Sequence, residues 1–588
     1  MSKVHTLPPH VISKIAAGEV IERPASVVKE ILENALDARA CAVEIKIKSA
    51  GKKLIYLKDD GDGIDPDDIE KIFLRHSTSK ISCIDDLYAI HSLGFRGEAL
   101  YSIAAIADVT LRSKTAGADT GVEIHLRGGQ PLTVKPVAMS QGTEIEIQEL
   151  FFNTPARRKF LKGDTTELNH ILSVVTPYTL LLPEVSFRLT HGARTLLNLP
   201  VSKNRANRVS EVLRLDGDRL IECRSDNADF KENFTVYALL GDMNIQRTRR
   251  DLQFVYINGR PVYNRNLNFH LNRMYRVLMP QGVFPFFLID IKIPGENVDV
   301  NIHPAKREVK IKDEYNIISY ITAFCQDALK KNTRLKQMPL SVQETNEKPA
   351  AQKNIGEFPD DVSPPPPALH QYLLKETNDV FPAVTEKRAH EVTGGPSHPE
   401  KLKEAMRSSR YLGSFLRKYL LFESNASLIV CDQHAAQERV IYEQLVRQIR
   451  SGSLEVQHLL SPLLVKLTVS EMLIWEESKE NIEQLGFLTT QWDSETIALH
   501  GYPQLIHYPQ RALRNLLSED AAGDNSLDFL ARRACRESLK TGYEMVPDQA
   551  EYLRRQLLGC EDAFTCPHGR PILIEIQDKE FERYFLRR

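Results

Sequence analysis

Residues 27–38 read VVKEILENALDA, and the way this stretch folds decides how the rest of the chain is understood. On a 3.6-residue helix Glu30, Asn34 and Asp37 fall at i, i+4 and i+7 along one face. Val28, Ile31, Leu32, Ala35 and Leu36 fill the opposite face, so the helix belongs to a core and its polar stripe meets either water or a pocket. A carboxylate one turn from a carboxamide suits a magnesium–nucleotide site. The first can orient an attacking water, and the second can hold a hard cation that keeps several of its own waters. An amphipathic surface helix is written in the same letters, so the neighbouring segments must choose.

Hairpin and turn signals follow at once. Val43, Ile45 and Ile47 alternate as in a half-buried strand, Gly51 turns, and residues 54–57 return as a second strand. That strand runs into Asp59-Asp60-Gly61-Asp62-Gly63. An Asp at a strand end can accept from an exocyclic amine, and the glycines let a flat ring approach the backbone, although a plain Gly-Asp turn is spelled alike. After Arg75-His76-Ser77-Thr78-Ser79-Lys80 comes Gly94-Phe95-Arg96-Gly97-Glu98-Ala99-Leu100, a glycine-rich turn entering an apolar helix (Leu100, Ile103, Ala104, Ile106). Unpaired amides at such a helix start cradle anions. The pattern is neither a P-loop nor a dinucleotide fingerprint. Residues 110–112, 122–126, 132–137 and 143–147 read as further strands, and 153–162 as a basic, partly helical connection.

The chain has 588 residues, too many for one core. With 76 Lys+Arg against 78 Asp+Glu its net charge is −2, so any contact with nucleic acid must come from local basic patches. Eight scattered cysteines suit a reducing compartment. There is no leader and no apolar run approaching about 18 residues, so the expectation is cytoplasmic, with no membrane.

Composition divides the remainder. Residues 1–206 form the first unit. Strand-rich segments mark 207–332, with a turn at Asn258-Gly259-Arg260-Pro261, Lys306 in a short loop (301–309), and a closing helix at 315–332. Residues 333–400 carry Pro364-Pro365-Pro366-Pro367 and few clustered aliphatics, the composition of an extended linker. Residues 401–588 restart with a hairpin (411–415, 419–423) and a strand (427–431), followed by Asp432-Gln433-His434-Ala435-Ala436-Gln437-Glu438. Asp432 stands where a helix is capped, and His434 with Glu438 are i, i+4 neighbours able to share a divalent metal. A capped amphipathic helix accounts for the same letters. Cys535, Cys566 and His568 lie in two later segments, giving mixed N, S and O donors of the kind zinc or manganese accepts.

Taken together, these residues resemble the MutL family of DNA mismatch-repair ATPases. The stretches GEVIERPASVVKE, GFRGEAL, NTPARRKFL and NIHPAKREV carry the likeness, which spans nearly everything outside the linker. It implies an α+β multidomain protein. An N-terminal α/β sandwich has the ATPase fold shared by gyrase, Hsp90, histidine kinases and MutL (GHKL, or Bergerat). A ribosomal-S5-like subdomain and a disordered linker follow, then a C-terminal dimerisation and endonuclease domain. By resemblance Glu30 is the general base, Asn34 the Mg²⁺ ligand and Asp59 the adenine acceptor. Asp37, Gly61, Gly63, Thr78, Gly94, Arg96, Gly97, Glu98, Ala99, Leu100 and Thr143 surround ATP, and Lys306 reaches the γ-phosphate.

DQHAAQERVIYE (432–443), ACR (534–536), CPHGRP (566–571) and the final Phe581-Glu582-Arg583 are similar to MutL proteins that nick DNA. They make Asp432, His434, Glu438, Cys535, Cys566 and His568 the expected Zn²⁺ or Mn²⁺ set, with Asp432 and Glu438 catalytic. Glu537 and Ile572 depart from the smaller or hydroxylated residues common there. Gln457-His458-Leu459-Leu460-Ser461-Pro462 resembles a sliding-clamp-binding peptide (Gln457, Leu459, Leu460, Pro462); a strand edge plus turn is the plain alternative. The implied function is an ATP-gated homodimer on double-stranded DNA, cytoplasmic and nucleoid-associated, coupling MutS to strand incision. One rival is a non-catalytic matchmaker whose cluster is only structural zinc. The other is a topoisomerase- or chaperone-like ATPase, disfavoured because 401–588 shows no nucleophilic Tyr domain.

Overall fold

The computed structural model describes residues 21–80, 92–94, 97–227, 234–247, 249–276, 279, 283–299, 309–335, 399–425, 427–518, 526–535, 545–567 and 569–584. The expected helix is α1 (Pro24–Asp37). Arg23 is extended ahead of it and Pro24 opens the first turn, where a missing N–H costs nothing. Val28, Ile31, Leu32 and Ala35 are buried, in one core with Val43, Ile45, Ile47, Ile55 and Leu57 from strands β1 (Ala42–Lys48) and β2 (Leu54–Asp59).

Both strands join an eight-stranded sheet with β3 (Asp108–Lys114), β4 (Gly121–Arg127), β5 (Gln130–Val137), β6 (Gly142–Gln148), β7 (Ser186–His191) and β8 (Arg194–Leu199). Its order is β5-β4-β3-β6-β2-β1-β7-β8. Only β1 and β7 pair in parallel; the other pairs are antiparallel. The edge strand β5 is exposed along nearly its whole length, and its Pro131, Lys135 and Pro136 discourage further pairing. Between β3 and the preceding glycine turn lies α2 (Ala99–Ile106), and α3 (Asp164–Leu181) packs against α1.

A helix at Arg205–Leu213, α4, runs across the expected boundary at 206, because Val209, Val212 and Leu213 belong to the first core. Its Arg208 is fully buried, and its two Nη groups donate to the carbonyls of Thr179, Pro183 and Val185 at 3.0–3.3 Å. Next, β9 (Leu220–Asn227), β10 (Phe234–Gly241), β11 (Gln253–Ile257), β12 (Arg260–Val262) and β13 (Phe287–Lys292) form a second sheet in the order β12-β11-β13-β10-β9. Alternate residues face opposite ways. Leu239, Tyr256 and Leu288 enter the first core, while Ala238, Leu240, Val255, Ile257, Phe287 and Ile289 meet helices α5 (Arg265–Tyr275) and α6 (Glu314–Leu335) in a second core.

The described part of the C-terminal half opens on helix α7 (Pro399–Ser408), ahead of the hairpin, with Leu402 and Met406 buried. Strands Arg410–Phe415, Tyr419–Ser424, Ser427–Asp432 and Leu573–Gln577 make a four-stranded sheet, and Val456–Lys466, Thr496–Pro503 and Leu488–Gln491 a three-stranded one. Each sheet has its own core. Helix α8 (Gln433–Ser451) serves both, with Ala436 and Val440 in one and Leu445 in the other. Among the described residues no helix is long and apolar enough to cross a membrane.

Candidate active site

The polar edge of α1 meets two loops. Glu30 and Asn34 are half-buried there. Lys80 Nζ donates to Asn34 Oδ1 at 3.0 Å and to Asp37 Oδ2. Asp37 also accepts from the amides of Leu93 (2.7 Å) and Gly94 (3.0 Å), so it ties residues 92–94 to the helix end. Thr78 Oγ1 accepts from the Lys80 amide at 3.2 Å.

Asp59 ends β2, opposite Thr143 on β6. Its Oδ1 accepts from the Gly61 amide at 2.9 Å. Gly142 has φ +123°, and a Cβ there would lie 2.1 Å from Asp59 O. A Cβ on Gly63 (φ +77°) would lie 2.2 Å from Lys114 O, so the backbone passes where side chains cannot. Ser113 Oγ joins this cluster to its surroundings. It accepts from the Ile64 amide at 2.8 Å, donates to Gly142 O at 3.1 Å, and lies 2.9 Å from Thr143 Oγ1. The Asp59 loop reaches α1 through Ala38, whose carbonyl accepts from the Asp62 amide at 2.9 Å.

Burial pushes the Asp59 carboxyl up to about 6, with the Gly61 and Thr143 amides partly opposing. The folded value lies above the ordinary one, so ionised Asp59 destabilises the protein above about pH 6, and stability is regained as pH falls toward the ordinary carboxyl range. A ligand amine is held more strongly by the ionised carboxylate than by the neutral carboxyl. Affinity for an amine-bearing ligand docked on Asp59 is therefore expected to fall, by up to about tenfold, between pH 7 and pH 5. Asp59→Asn is expected to weaken binding and to remove that pH dependence; calorimetric titration at the two pH values checks both.

At the glycine turn, Gly97 has φ +62°, and a Cβ there would be 2.5 Å from Ser77 O. Glu98 Oε1 lies 3.4 Å from Arg75 Nε and 3.2 Å from His76 Nδ1. Ala99 and Leu100 open α2, whose first amides have no acceptor within the helix. Arg96 and Lys306 lie outside the described residues.

In the C-terminal half Asp432 caps α8. Its Oδ1 accepts from the amides of His434 (3.0 Å) and Ala435 (2.9 Å). His434 Nε2 is 3.3 Å from Glu438 Oε1, one turn on, and Glu438 is buried. Cys535 is fully buried; burial, with the Glu438 charge, pushes its thiol well up. Cys566 is buried in a small loop where the Arg570 amide donates to its Sγ at 3.4 Å. His568 lies outside the described residues. Among the described residues, which leave out His568 of the expected donors, no three His, Cys, Asp or Glu side chains are placed to hold one metal ion. The cap fixes one oxygen of Asp432 on backbone amides, and Cys566 is turned into its own loop. His434 and Glu438 put an N and an O donor one helical turn apart, and the Glu438 charge is felt at the buried Cys535 thiol. The clamp-like peptide lies where the Val456–Lys466 strand breaks register between His458 and Leu463, with Gln457, Leu460 and Pro462 exposed and Leu459 half-buried.

Comparison with known proteins follows the same division. Residues 21–127 match the histidine kinase-, DNA gyrase B- and HSP90-like ATPase, and residues 217–330 the DNA mismatch repair protein C-terminal domain. Residues 412–545 match the MutL C-terminal dimerisation domain. The ATPase domain of Aquifex aeolicus MutL complexed with ADP is 33% identical, covering 47% of this chain and 93% of that chain at TM-score 0.37. The DNA mismatch repair protein MutL of Koribacter versatilis is 32% identical, with 100% of both chains covered; that of Listeria innocua is 33% identical, with 98% of each covered. The chain belongs to the MutL family. It carries the MutL mismatch-repair ATPase and the MutL dimerisation domain.

One residue beside this pocket had no signal beyond a turn. Arg260, 6% exposed at the start of β12, reaches from the second sheet to donate to Ser92 O. Burial pulls its guanidinium below the ordinary arginine value, while Glu33 and Asp37 act the other way. Glu33 is itself buried, accepting from Tyr178 Oη at 2.5 Å. Arg260→Lys keeps the charge but loses the fork that reaches Ser92. A loss of about 1.5–3 kcal/mol in urea unfolding is expected, the value of a hydrogen bond from a charged group.

Proposed function

We propose that this chain is an ATP-gated homodimer that couples mismatch recognition by MutS to incision of double-stranded DNA by its own C-terminal half. Glu30 is the general base of ATP hydrolysis, Asn34 holds Mg²⁺, and Asp59 takes the adenine amine. Gly61, Gly63, Thr78, Gly94, Gly97 and Thr143 shape the pocket around them, with Arg96 and Lys306 contributing from outside the described residues. Bound nucleotide shifts the population toward a closed N-terminal pair and hydrolysis resets it, while the dimerisation domains stay joined.

The observation that supports the nicking assignment is the buried Glu438 carboxylate 3.3 Å from His434 Nε2. Asp432, His434, Glu438, Cys535, Cys566 and His568 would hold a Zn²⁺ or Mn²⁺ ion, which when bound would supply an activated water and a counter-charge for the leaving oxygen. Glu438 and His434 would orient that ion, and the Asp432 cap fixes the start of the helix that carries both. The exposed Leu460 bulge supports docking on a sliding clamp, which brings the half-chain to replicated DNA.

That the described donors are adjacent without closing on one point is the observation favouring the alternative, a non-catalytic matchmaker with structural zinc. Supercoiled plasmid incubated with the purified full chain decides between them. Open circles with Mn²⁺ and none with EDTA are expected; plasmid left at background with Mn²⁺, Zn²⁺ and Mg²⁺ alike leaves only the matchmaker.

A further inference from the structure

The Asn258-Gly259 turn joins β11 to β12 with a left-handed backbone at both residues, φ +49° and +80°. Two left-handed residues match the twist of a two-residue hairpin, and asparagine followed by glycine is the pair that tolerates them. The turn is pinned to the rest of the second sheet. Asn258 Nδ2 donates to Ile293 O at 2.8 Å, and its Oδ1 accepts from the Ile293 amide at 2.9 Å. Its own amide donates to Ile291 O at 2.9 Å. The hairpin is therefore a fixed arm, and each of its strands sends one polar side chain to the first unit.

Tyr256, fully buried on β11, donates its hydroxyl to Pro177 O of α3 at 2.8 Å. The next residue, Tyr178, donates to Glu33 Oε1 at 2.5 Å and fastens α3 to α1. One turn along α1, Asp37 accepts from the Leu93 and Gly94 amides at 2.7 and 3.0 Å. Arg260, on β12, donates to Ser92 O, and Ser92 Oγ donates to Gly94 O at 2.7 Å. These contacts close a ring that runs from the hairpin to α3, to α1, to residues 92–94, and back to the hairpin.

Within that ring residues 92–94 are held from two sides, by a carboxylate of the first unit and a guanidinium of the second. Asp37 takes N–H groups and Arg260 takes a carbonyl, so both grips act on the backbone. The chain continues from Gly94 into the glycine turn and α2. The Arg260 charge is answered by Glu33 and Asp37, so a lysine there keeps the charge balance and loses the fork.

We propose that Arg260 is a positioning residue for nucleotide binding, which acts through Ser92 to hold the approach to the glycine turn in its binding-ready place. It works from the second sheet on the turn, and not on the reacting atoms. The inference rests on the reading of α1 and the Asp59 loop as the ATP pocket. A turn already in place spares the ligand the cost of ordering it, and every molecule with the turn out of place lowers the apparent affinity.

The test compares two variants of the full chain, each removing one end of the arm's hold. Arg260→Lys loosens residues 92–94, whereas Tyr256→Phe frees Pro177 O and leaves 92–94 alone. Both are expected to lower stability in urea. Arg260→Lys alone is expected to raise the dissociation constant of a non-hydrolysable ATP analogue about tenfold, with turnover at saturating ATP within about twofold of the wild type. Hydrogen exchange at the Leu93 and Gly94 amides is expected to quicken in Arg260→Lys and not in Tyr256→Phe. Should Arg260→Lys not fold, Arg260→Gln takes its place. Affinity and exchange that stay unchanged, or that move equally in both variants, overturn the positioning role and leave Arg260 a stability residue. Turnover that falls at saturation with affinity intact overturns it too, by moving Arg260 into the chemistry. A wild type that binds no adenine nucleotide overturns the reading of the pocket, and this inference with it.

Discussion

Glu30→Ala is expected to bind ATP as the wild type does and to hydrolyse it about 10²–10⁴-fold more slowly, the usual worth of a positioned general base. The change is clean because of where Glu30 sits. It is half-buried on the polar edge of α1, while Val28, Ile31 and Leu32 on the other edge hold the helix in the core. Alanine is also the best helix former, so α1 loses nothing locally. The groups assigned to hold nucleotide, Asn34 and Asp59, stand on a different turn and a different strand. Phosphate release at saturating ATP, read beside the dissociation constant from titration, separates the two effects. Hydrolysis at the wild-type rate removes Glu30 from the mechanism; loss of binding and turnover together marks a damaged pocket instead.

Asp432→Asn is the second change of large effect: metal-dependent plasmid nicking is expected to fall about 10²-fold or more, with ATP hydrolysis untouched. Asparagine caps a helix about as well as aspartate, so the bonds that the His434 and Ala435 amides make to residue 432 survive. Only the charge is lost. Glu438→Gln tests the same centre from the buried side and should fail equally. If both variants nick as the wild type does, the incising centre lies elsewhere on the chain.

What the sequence made legible was whatever is written in short-range periodicity. The α1 stripe, the β1–β2 hairpin and the cap at Asp432 depend on neighbours within one or two turns, and each appears where the spacing placed it. Helix α7 was hidden because a polar, charged decapeptide beside a linker shows only Leu402 and Met406 as apolar anchors. The reach of α4 across the first boundary was hidden because amphipathic helices do not announce which of two cores they serve. Arg260 pairs with a carbonyl 168 residues away, and Lys80 with an aspartate 43 residues back; the first sits in a motif that reads simply as a turn, and pairings at such range leave no trace in local spacing. The order of the C-terminal donor segments was readable too, but whether their side chains face a common point is a question of three dimensions.

The second sheet has dry packing on both sides, Leu239, Tyr256 and Leu288 against one core and Val255, Ile257 and Ile289 against the other. A layer clamped in this way has no lubricated plane along which its strands can slip, since sliding by one residue would turn oily side chains and backbone alike the wrong way. It therefore moves as a stiff board or not at all. A tilt started at Arg260 on one margin would arrive undiminished at Leu220–Asn227 on the far margin, which makes the board a lever whose throw is set by its width.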